Sequence, residues 1–306
     1  MLKSRTEGFF RKWRDKVFNI FKRYKRKKNC CVVMGGTSNH FPAMAAVVLE
    51  LNEHLPDIDD IIIYLDRIDN KQIKILKSLS RVNIIEKKYN IFFGVKYDNG
   101  NIDHFSTMCF CKFEGFKLLN KYKKVIWTDY DVAIKEDINE LVNDYNSGLY
   151  TLDTFDAKAV DNFRHPVTEL NMEAKASYCA LILFNDDISN YNNIYKDCYR
   201  YAKKYINDLS YGEQGIFNIV IDKHNIPIAY LNPLLYSCGI EESCVKYHND
   251  AKIFHAYCLE NKFWNGNHNE IYETFYAKWL AAGGAEFSNK RKLSKFTKYM
   301  RKHHLV

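Results

Sequence analysis

The chain has 306 residues, 47% of them hydrophobic and 27% charged, which is globular composition with ample material for a core. No apolar run reaches the roughly 18 residues of a membrane span, and Lys and Arg interrupt the apolar runs near the start, so neither a transmembrane helix nor a signal peptide is expected. Nine cysteines without a C-x-x-C spacing argue against a structural zinc site and favour a reducing compartment.

The net charge of +8 is divided unevenly along the chain. Residues 1–28 carry twelve Lys or Arg and two acids, and residues 288–306 carry seven Lys or Arg and no acid. The body between these tails therefore has a net charge of −9. We predict one globular domain over residues 29–287, flanked by two basic tails.

The N-terminal tail predicts a basic amphipathic helix, because apolar residues recur at intervals of three and four while Lys and Arg cover the other face. The stripe consists of Phe9, Trp13, Val17, Phe21 and Tyr24. Such a helix suits an anionic membrane surface, and the C-terminal tail repeats the pattern more weakly. The alternative is a solvated helix packed on its own domain. A nucleic-acid partner is not expected, because the aromatic residues form a single stripe.

Strands and helices alternate in the first half of the body. Residues 29–54 are predicted to form a strand, a glycine-containing loop and a helix. Further strands are predicted at 59–66, 82–88 and 123–131, and helices at 70–80 and 105–122. This order indicates a largely parallel sheet covered on both faces. In such sheets ligands bind beyond the C-terminal strand ends, so M-G-G-T-S-N and T-D-Y-D are expected to face one cleft.

The second half is less regular, without a repeat or a low-complexity linker. Strands are predicted at 148–156, 177–185, 226–236 and 251–257, and helices at 192–206 and within 211–224. The whole body is therefore predicted to be one α/β domain.

Two carboxylates, Asp129 and Asp131, follow the buried strand K-V-I-W. They offer hard oxygen ligands that suit Mg²⁺ or Mn²⁺ holding a diphosphate, although a polar loop with two solvated acids would show the same spacing. His255 follows another apolar strand and adds a third ligand type, unless it is an ordinary core histidine. Lys262 is a natural partner for a phosphate.

Four segments in the same order resemble glycosyltransferase family 8, a family of metal-dependent GT-A enzymes that includes bacterial lipooligosaccharide galactosyltransferases. V-V-M-G-G-T-S-N resembles the family's nucleotide-binding start, and K-V-I-W-T-D-Y-D-V-A-I resembles its D-x-D strand. Y-G-E-Q-G-I-F-N resembles a D-Q-D helix start, and H-A-Y-C-L-E-N-K-F-W resembles the closing H…K-P-W segment. The resemblance covers about residues 30–265 and implies a single GT-A, Rossmann-like domain with a mixed, mainly parallel sheet.

By this resemblance, Asp129, Asp131 and His255 would bind Mn²⁺ or Mg²⁺, and Lys262 would contact the donor diphosphate. The other contacts to the nucleotide-sugar would come from Gly35, Gly36, Thr37, Asn39, Lys112 and Tyr130. The residues implied in catalysis are Asp153, which would hold hydroxyls of the donor sugar, and Glu213 and Gln214, which would lie at the reacting carbon.

The sequence departs from the family pattern in three places. G-G-T-S-N lacks the acidic residue that follows the first strand, which leaves uridine recognition open. Tyr178, Cys179 and Ala180 replace Asn-Ala-Gly, so the sugar pocket is expected to differ in shape. The closing segment has Phe263 in place of Pro and one extra residue before Lys262. The three metal ligands are retained.

The resemblance implies a metal-dependent hexosyltransferase that moves a hexose from a nucleotide-sugar, such as a UDP-sugar, to a glycan or glycolipid acceptor. Retention of configuration and a role in bacterial lipopolysaccharide or capsule synthesis are part of this expectation. The basic tails predict a peripheral protein on the cytoplasmic face of the membrane. Two alternatives remain: a metal-dependent phospho- or nucleotidyltransferase, and a membrane-associated scaffold on a catalytically degenerate transferase fold.

Overall fold

A seven-stranded sheet organises the chain in a computed structural model, which describes residues 26–257, 262–265 and 269–287. The ten strands of the described residues are β1 (Lys28–Gly36), β2 (Asp60–Leu65), β3 (Asn83–Lys88), β4 (Tyr122–Thr128), β5 (Val132–Ile134), β6 (Leu149–Leu152), β7 (Tyr178–Asn185), β8 (Ile228–Leu231), β9 (Cys238–Gly239) and β10 (Ile253–His255). The large sheet has the order β3-β2-β1-β4-β7-β6-β8. Only β7 runs antiparallel to its neighbours within it, so the predicted mixed, mainly parallel sheet is confirmed.

Helices cover both faces of this sheet, which explains why β2 is buried along its whole length. The α-helices of the described chain are α1 (Phe41–His54), α2 (Asn70–Leu79), α3 (Gly100–Phe105), α4 (Glu114–Leu118), α5 (Glu140–Asn143), α6 (Tyr191–Tyr205), α7 (Gln214–His224), α8 (Pro233–Tyr236) and α9 (Glu270–Ala281). On one face α1 packs with α9, where Trp279 is fully buried. The other face has an aromatic core in which Phe113 and Phe116 contact Phe217.

A small second sheet, in the order β5-β10-β9, is attached where β4 ends. The chain leaves β4, makes a three-residue turn and enters β5, which pairs antiparallel with β10. The buried Glu50 of α1 fixes β5, because an oxygen of its carboxyl group accepts a 2.7 Å hydrogen bond from Ile134 N. This arrangement brings the end of β10 beside the end of β4.

Two predicted elements are wrong in detail. The single helix over residues 105–122 is interrupted at Ser106, which has a positive φ of 63°. Its side chain accepts a hydrogen bond from Met108 N and so begins a 3₁₀ segment, Thr107–Phe113, that precedes α4. The predicted strand over 226–236 ends after β8, because Asn232 caps Leu234 N and α8 begins there.

The two ends of the described domain lie at opposite ends of the sheet. The chain enters at Lys28, whose N donates to Lys121 O. It ends at Phe287, whose ring stacks on Trp264 at a centroid distance of 4.9 Å. The predicted tail helices lie outside the described residues, apart from 26–28. No helix within the described part of the chain has the length and apolar character of a membrane span.

Candidate active site

A cleft of about 380 Å³ opens where β1 and β4 end. Gly35 and Gly36 form part of its floor because the packing there leaves no room for a side chain. A Cβ atom at Gly35 would lie 2.4 Å from Cys111 Sγ, and one at Gly36 would lie 2.5 Å from Met44 Cε. The two glycines therefore allow the backbone of β1 to approach its neighbours and a ligand closely.

This cleft brings together all but one of the predicted site residues. They are Gly35, Gly36, Thr37, Asn39, Lys112, Asp129, Tyr130, Asp131, Glu213, Gln214, His255 and Lys262. Asp153 is not part of this lining. It follows β6, and its carboxylate forms an ion pair with Lys175 at 2.7 Å. The contact of Asp153 with a donor sugar stays a prediction.

Three side chains form a potential metal site at the junction of the two sheets. Asp129 follows β4, Asp131 precedes β5, and the antiparallel pairing sets His255 opposite Val132. One ligand atom from each of the two aspartates and His255 lies within 4.8 Å of the other two. Two carboxylates and one imidazole are a donor set that fits a divalent metal ion, so these residues fit the divalent ion that the sequence predicted.

The His255 ring is held in place by two hydroxyl groups. Its Nδ1 lies 2.9 Å from Ser237 Oγ and 3.1 Å from Tyr178 Oη, while Nε2 lies 3.2 Å from Asp131 Oδ1. When Nδ1 donates to one of these hydroxyls, Nε2 keeps a lone pair on the side of Asp131, as metal ligation requires. Tyr178, noted in the sequence only as a departure, thus orients a candidate ligand.

Asp131 lies between the ammonium group of Lys262 and the imidazole ring of His255. The ammonium group of Lys262 contacts its Oδ2, and His255 contacts its Oδ1. Burial alone would raise the pKa of the Asp131 carboxyl, but Lys262 and His255 outweigh burial and hold that pKa far below its usual range. Asp131 is therefore an anion at any physiological pH and is available as a ligand.

Lys112 links the aspartate pair to the start of α7. Its Nζ lies 3.0 Å from Asp129 Oδ1 and 2.7 Å from Glu213 Oε1, and it donates to Cys179 O at 2.9 Å. Burial favours the neutral amine, but the two carboxylates outweigh it and raise the pKa of Lys112. Asp129 is further fixed by Trp127 Nε1, which donates to its Oδ1 at 2.9 Å. This network gives the Asp129 side chain a defined orientation.

An aromatic wall closes one side of the cleft. Trp264 stacks on Tyr130, the central residue of D-Y-D, with ring centroids 6.1 Å apart and planes inclined by 22°. His40 lies 5.1 Å from the Tyr130 ring, and its Nδ1 is hydrogen-bonded to Thr37 Oγ1. His40 is not among the site residues predicted from the sequence. Its position four residues after Gly36 was the available signal.

Comparison with known proteins identifies the family. The model of the family described as "Glycosyl transferase family 8" matches residues 31–268. The chain belongs to glycosyltransferase family 8. It is therefore a glycosyltransferase, as the four sequence segments predicted. No protein among curated sequences gave a significant match.

Solved structures of glycosyltransferases share the fold of this family 8 chain. The apo structure of the bifunctional glycosyltransferase WbbM has 15% identity and a TM-score of 0.58, and the alignment covers 92% of this chain and 53% of WbbM. The galactosyltransferase LgtC, in complex with donor and acceptor sugar analogues, has 13% identity and a TM-score of 0.58, over 82% of this chain and 99% of LgtC. GlyE from Streptococcus pneumoniae TIGR4 has 14% identity and a TM-score of 0.55, over 90% of this chain and 64% of GlyE. These matches confirm the GT-A fold, and this chain spans about half the length of WbbM.

Proposed function

We propose that this family 8 enzyme is a hexosyltransferase that depends on Mn²⁺ or Mg²⁺ and uses a nucleotide-sugar, with UDP-sugars as the first candidates. The observation that carries the proposal is the cluster of Asp129, Asp131 and His255, which lies in a cleft with two lysines. Family membership favours glycosyl transfer over phospho- or nucleotidyl transfer at these aspartates. The complex of LgtC with donor and acceptor sugar analogues supports a nucleotide-sugar donor and a sugar acceptor here.

The charged and the neutral residues of the cleft would contact different parts of the donor. A bound divalent ion would supply Lewis-acid neutralisation of the donor diphosphate. Lys262, at the rim of the cluster, would pair with phosphate oxygens and so stabilise the departing nucleoside diphosphate. Thr37 and Asn39 would contact the nucleotide beside the open backbone of Gly35 and Gly36.

Retention of configuration is the second part of the proposal. A double displacement would need a free nucleophile at the reacting carbon. Glu213 is buried and engaged with Lys112 at 2.7 Å, and the amide oxygen of Gln214 is a weak nucleophile. Attack by the acceptor on the same face that the nucleoside diphosphate leaves is therefore favoured, and an α-linked donor would give an α-linked product. An NMR assignment of a β-linkage would refute retention.

The proposed cellular place is the cytoplasmic face of the membrane, where lipid-linked acceptors for bacterial lipopolysaccharide or capsule are glycosylated. The charge distribution supports this. Residues 1–28 and 288–306 are strongly basic and would be attracted to anionic lipid, whereas the body between them has a net charge of −9 and would be repelled by it. A glycan or glycolipid acceptor would meet the protein at this surface.

Hydrolysis of sugar nucleotides tests the metal-dependent function, because many transferases hydrolyse their donor slowly. A panel of sugar nucleotides is incubated with the protein in Mn²⁺ and in EDTA, and the released nucleoside diphosphate is measured. We expect turnover only with the metal and a loss of more than about a hundredfold in Asp131→Asn, since a Lewis acid contributes several kcal/mol. Asp156→Asn, an exposed aspartate outside the cleft, is the matched control.

The same assay separates the alternatives. His255→Ala should raise the Mn²⁺ concentration needed for half-maximal rate, whereas an unchanged requirement would make His255 an ordinary core residue. Equal rates in EDTA and Mn²⁺ would refute metal dependence. A scaffold would neither hydrolyse a sugar nucleotide nor be stabilised by one in a thermal-shift screen.

A further inference from the structure

A second cavity, of about 400 Å³, lies beside the edge strand β3. It is on the face of the sheet opposite α1, and it shares no lining residue with the active-site cleft. Four of the residues that line it are lysines: Lys87, Lys88, Lys117 and Lys121. The glycosyltransferase mechanism uses none of them.

The lysines of this cavity have no carboxylate partner within the described residues. Lys87 Nζ donates to Tyr64 Oη at 3.2 Å, and Lys117 Nζ donates to Tyr195 Oη at 3.4 Å. These partners are neutral hydroxyls, and the acid whose charge acts on Lys87 is the buried Glu114. Burial and the charge of nearby Lys121 lower the pKa of Lys87, as expected where like charges converge in a partly closed space.

One buried acid organises the cavity without neutralising it. Glu114 accepts hydrogen bonds from Tyr195 Oη at 2.8 Å, Tyr199 Oη at 2.9 Å and Tyr64 Oη at 3.2 Å. Because Tyr64 and Tyr195 in turn accept from lysines, a continuous chain of hydrogen bonds fixes two ammonium groups relative to each other. Lys87 is half-buried in this network, whereas Lys88, Lys117 and Lys121 are exposed.

We propose that this cavity binds the phosphate group of a ligand distinct from the sugar donor. A phosphate offers several acceptor oxygens and the negative charge that the converging lysines require. Ile91 and Leu118 add apolar lining for the part of the ligand that carries the phosphate. Two sources provide this chemistry, a soluble phosphorylated compound and the headgroup of a phospholipid. The backbone contact of Lys121 with Lys28 sets the cavity next to the point where the basic N-terminal tail joins the domain.

Titration calorimetry with pyrophosphate in EDTA tests the soluble source. The full-length protein is compared with Lys87→Gln/Lys121→Gln and with the control Lys71→Gln/Lys74→Gln, which removes two exposed charges from α2. Binding in the active-site cleft is common to all three proteins, so differences report on the cavity. We expect affinity at least about tenfold weaker in the cavity variant alone, equivalent to about 1.4 kcal/mol. The exposed single variant Lys121→Gln keeps the test available if the double variant does not fold.

Sedimentation with vesicles of phosphatidylcholine containing phosphatidylglycerol tests the lipid source with the same proteins. Weaker sedimentation of the cavity variant than of the control, with unchanged pyrophosphate binding, would identify a lipid headgroup. Weaker pyrophosphate binding would identify a soluble ligand. If the cavity variant and the control bind both probes equally, the proposal is refuted.

Discussion

Removal of the Lys112 ammonium should destabilise the domain strongly. The side chain of Lys112 is only 9% exposed, and its three partners use all three ammonium hydrogens. Lys112→Met keeps most of the stem but leaves Glu213, whose side chain is 6% exposed, without its cation. Loss of one partner of a buried pair costs about 3–5 kcal/mol. We expect a loss of this size in the free energy of unfolding.

Urea unfolding followed by circular dichroism measures this loss. In the double variant Lys112→Met/Glu213→Gln, the orphaned charge is removed as well, so the double loss should be smaller than the sum of the single losses by about 0.5–3 kcal/mol. Lys74→Met, on the exposed side of α2, should change stability by no more than about 0.5 kcal/mol. Breaking a buried pair is costly, so a loss below about 1 kcal/mol in Lys112→Met would show that the Lys112–Glu213 pair is solvated and would refute this prediction.

Three further predictions concern other parts of the chain. Burial raises the pKa of Glu50 well above 4.5, so the folded protein retains this proton and loses stability as pH rises. Relative to the wild type, the free energy of unfolding of Glu50→Gln should therefore increase by up to about 1.4 kcal/mol per pH unit above about pH 5. Parallel pH profiles of urea unfolding for the two proteins would contradict this. Gly36→Ala should cost about 1–3 kcal/mol, because its Cβ would lie 2.8 Å from Tyr130 Cε1; an unchanged Tm would show that Tyr130 yields freely. Deletion of residues 1–28 should abolish salt-sensitive sedimentation with anionic vesicles while donor hydrolysis is retained, and full sedimentation of the truncated protein would refute the membrane role of this tail.

The sheet could be predicted from sequence because its central strands are buried on both faces. β1, β2 and β4 therefore contain the apolar runs C-C-V-V-M, I-I-I-Y-L and V-I-W, and the residues after the three strands stand out as polar. The segment from Ser106 to Leu118 could not be predicted in the same way. Its phenylalanines recur at helical spacing, but the positive φ of Ser106 and the packing of the 3₁₀ segment depend on tertiary contacts.

The site shows the same division between local and long-range information. Asp129, Asp131 and His255 were each recognisable as candidate ligands from the apolar strands beside them. Their convergence on one site could not be predicted from the residues alone, because no local pattern pairs β5 with β10. The contact of Tyr178 with His255 was not predicted. Asp153 was assigned by resemblance, yet the structure pairs it with Lys175, a contact between loops that a single sequence does not encode in any short pattern.

Lys28 and Phe287 lie at opposite ends of the sheet, so the two ends of the described domain lie at different distances from the cleft. β1 spans nine residues from Lys28 to Gly36, and its eight steps at roughly 3.3 Å each amount to about 26 Å. If the protein is attached to a membrane through the segment before Lys28, its cleft lies about the length of β1 from the attachment point and opens away from the membrane. An acceptor anchored in the same surface would then need a headgroup several sugars long. A tether that follows Phe287 would instead hold the mouth of the cleft close to the surface and admit short acceptors, so the point of attachment would select substrates by length.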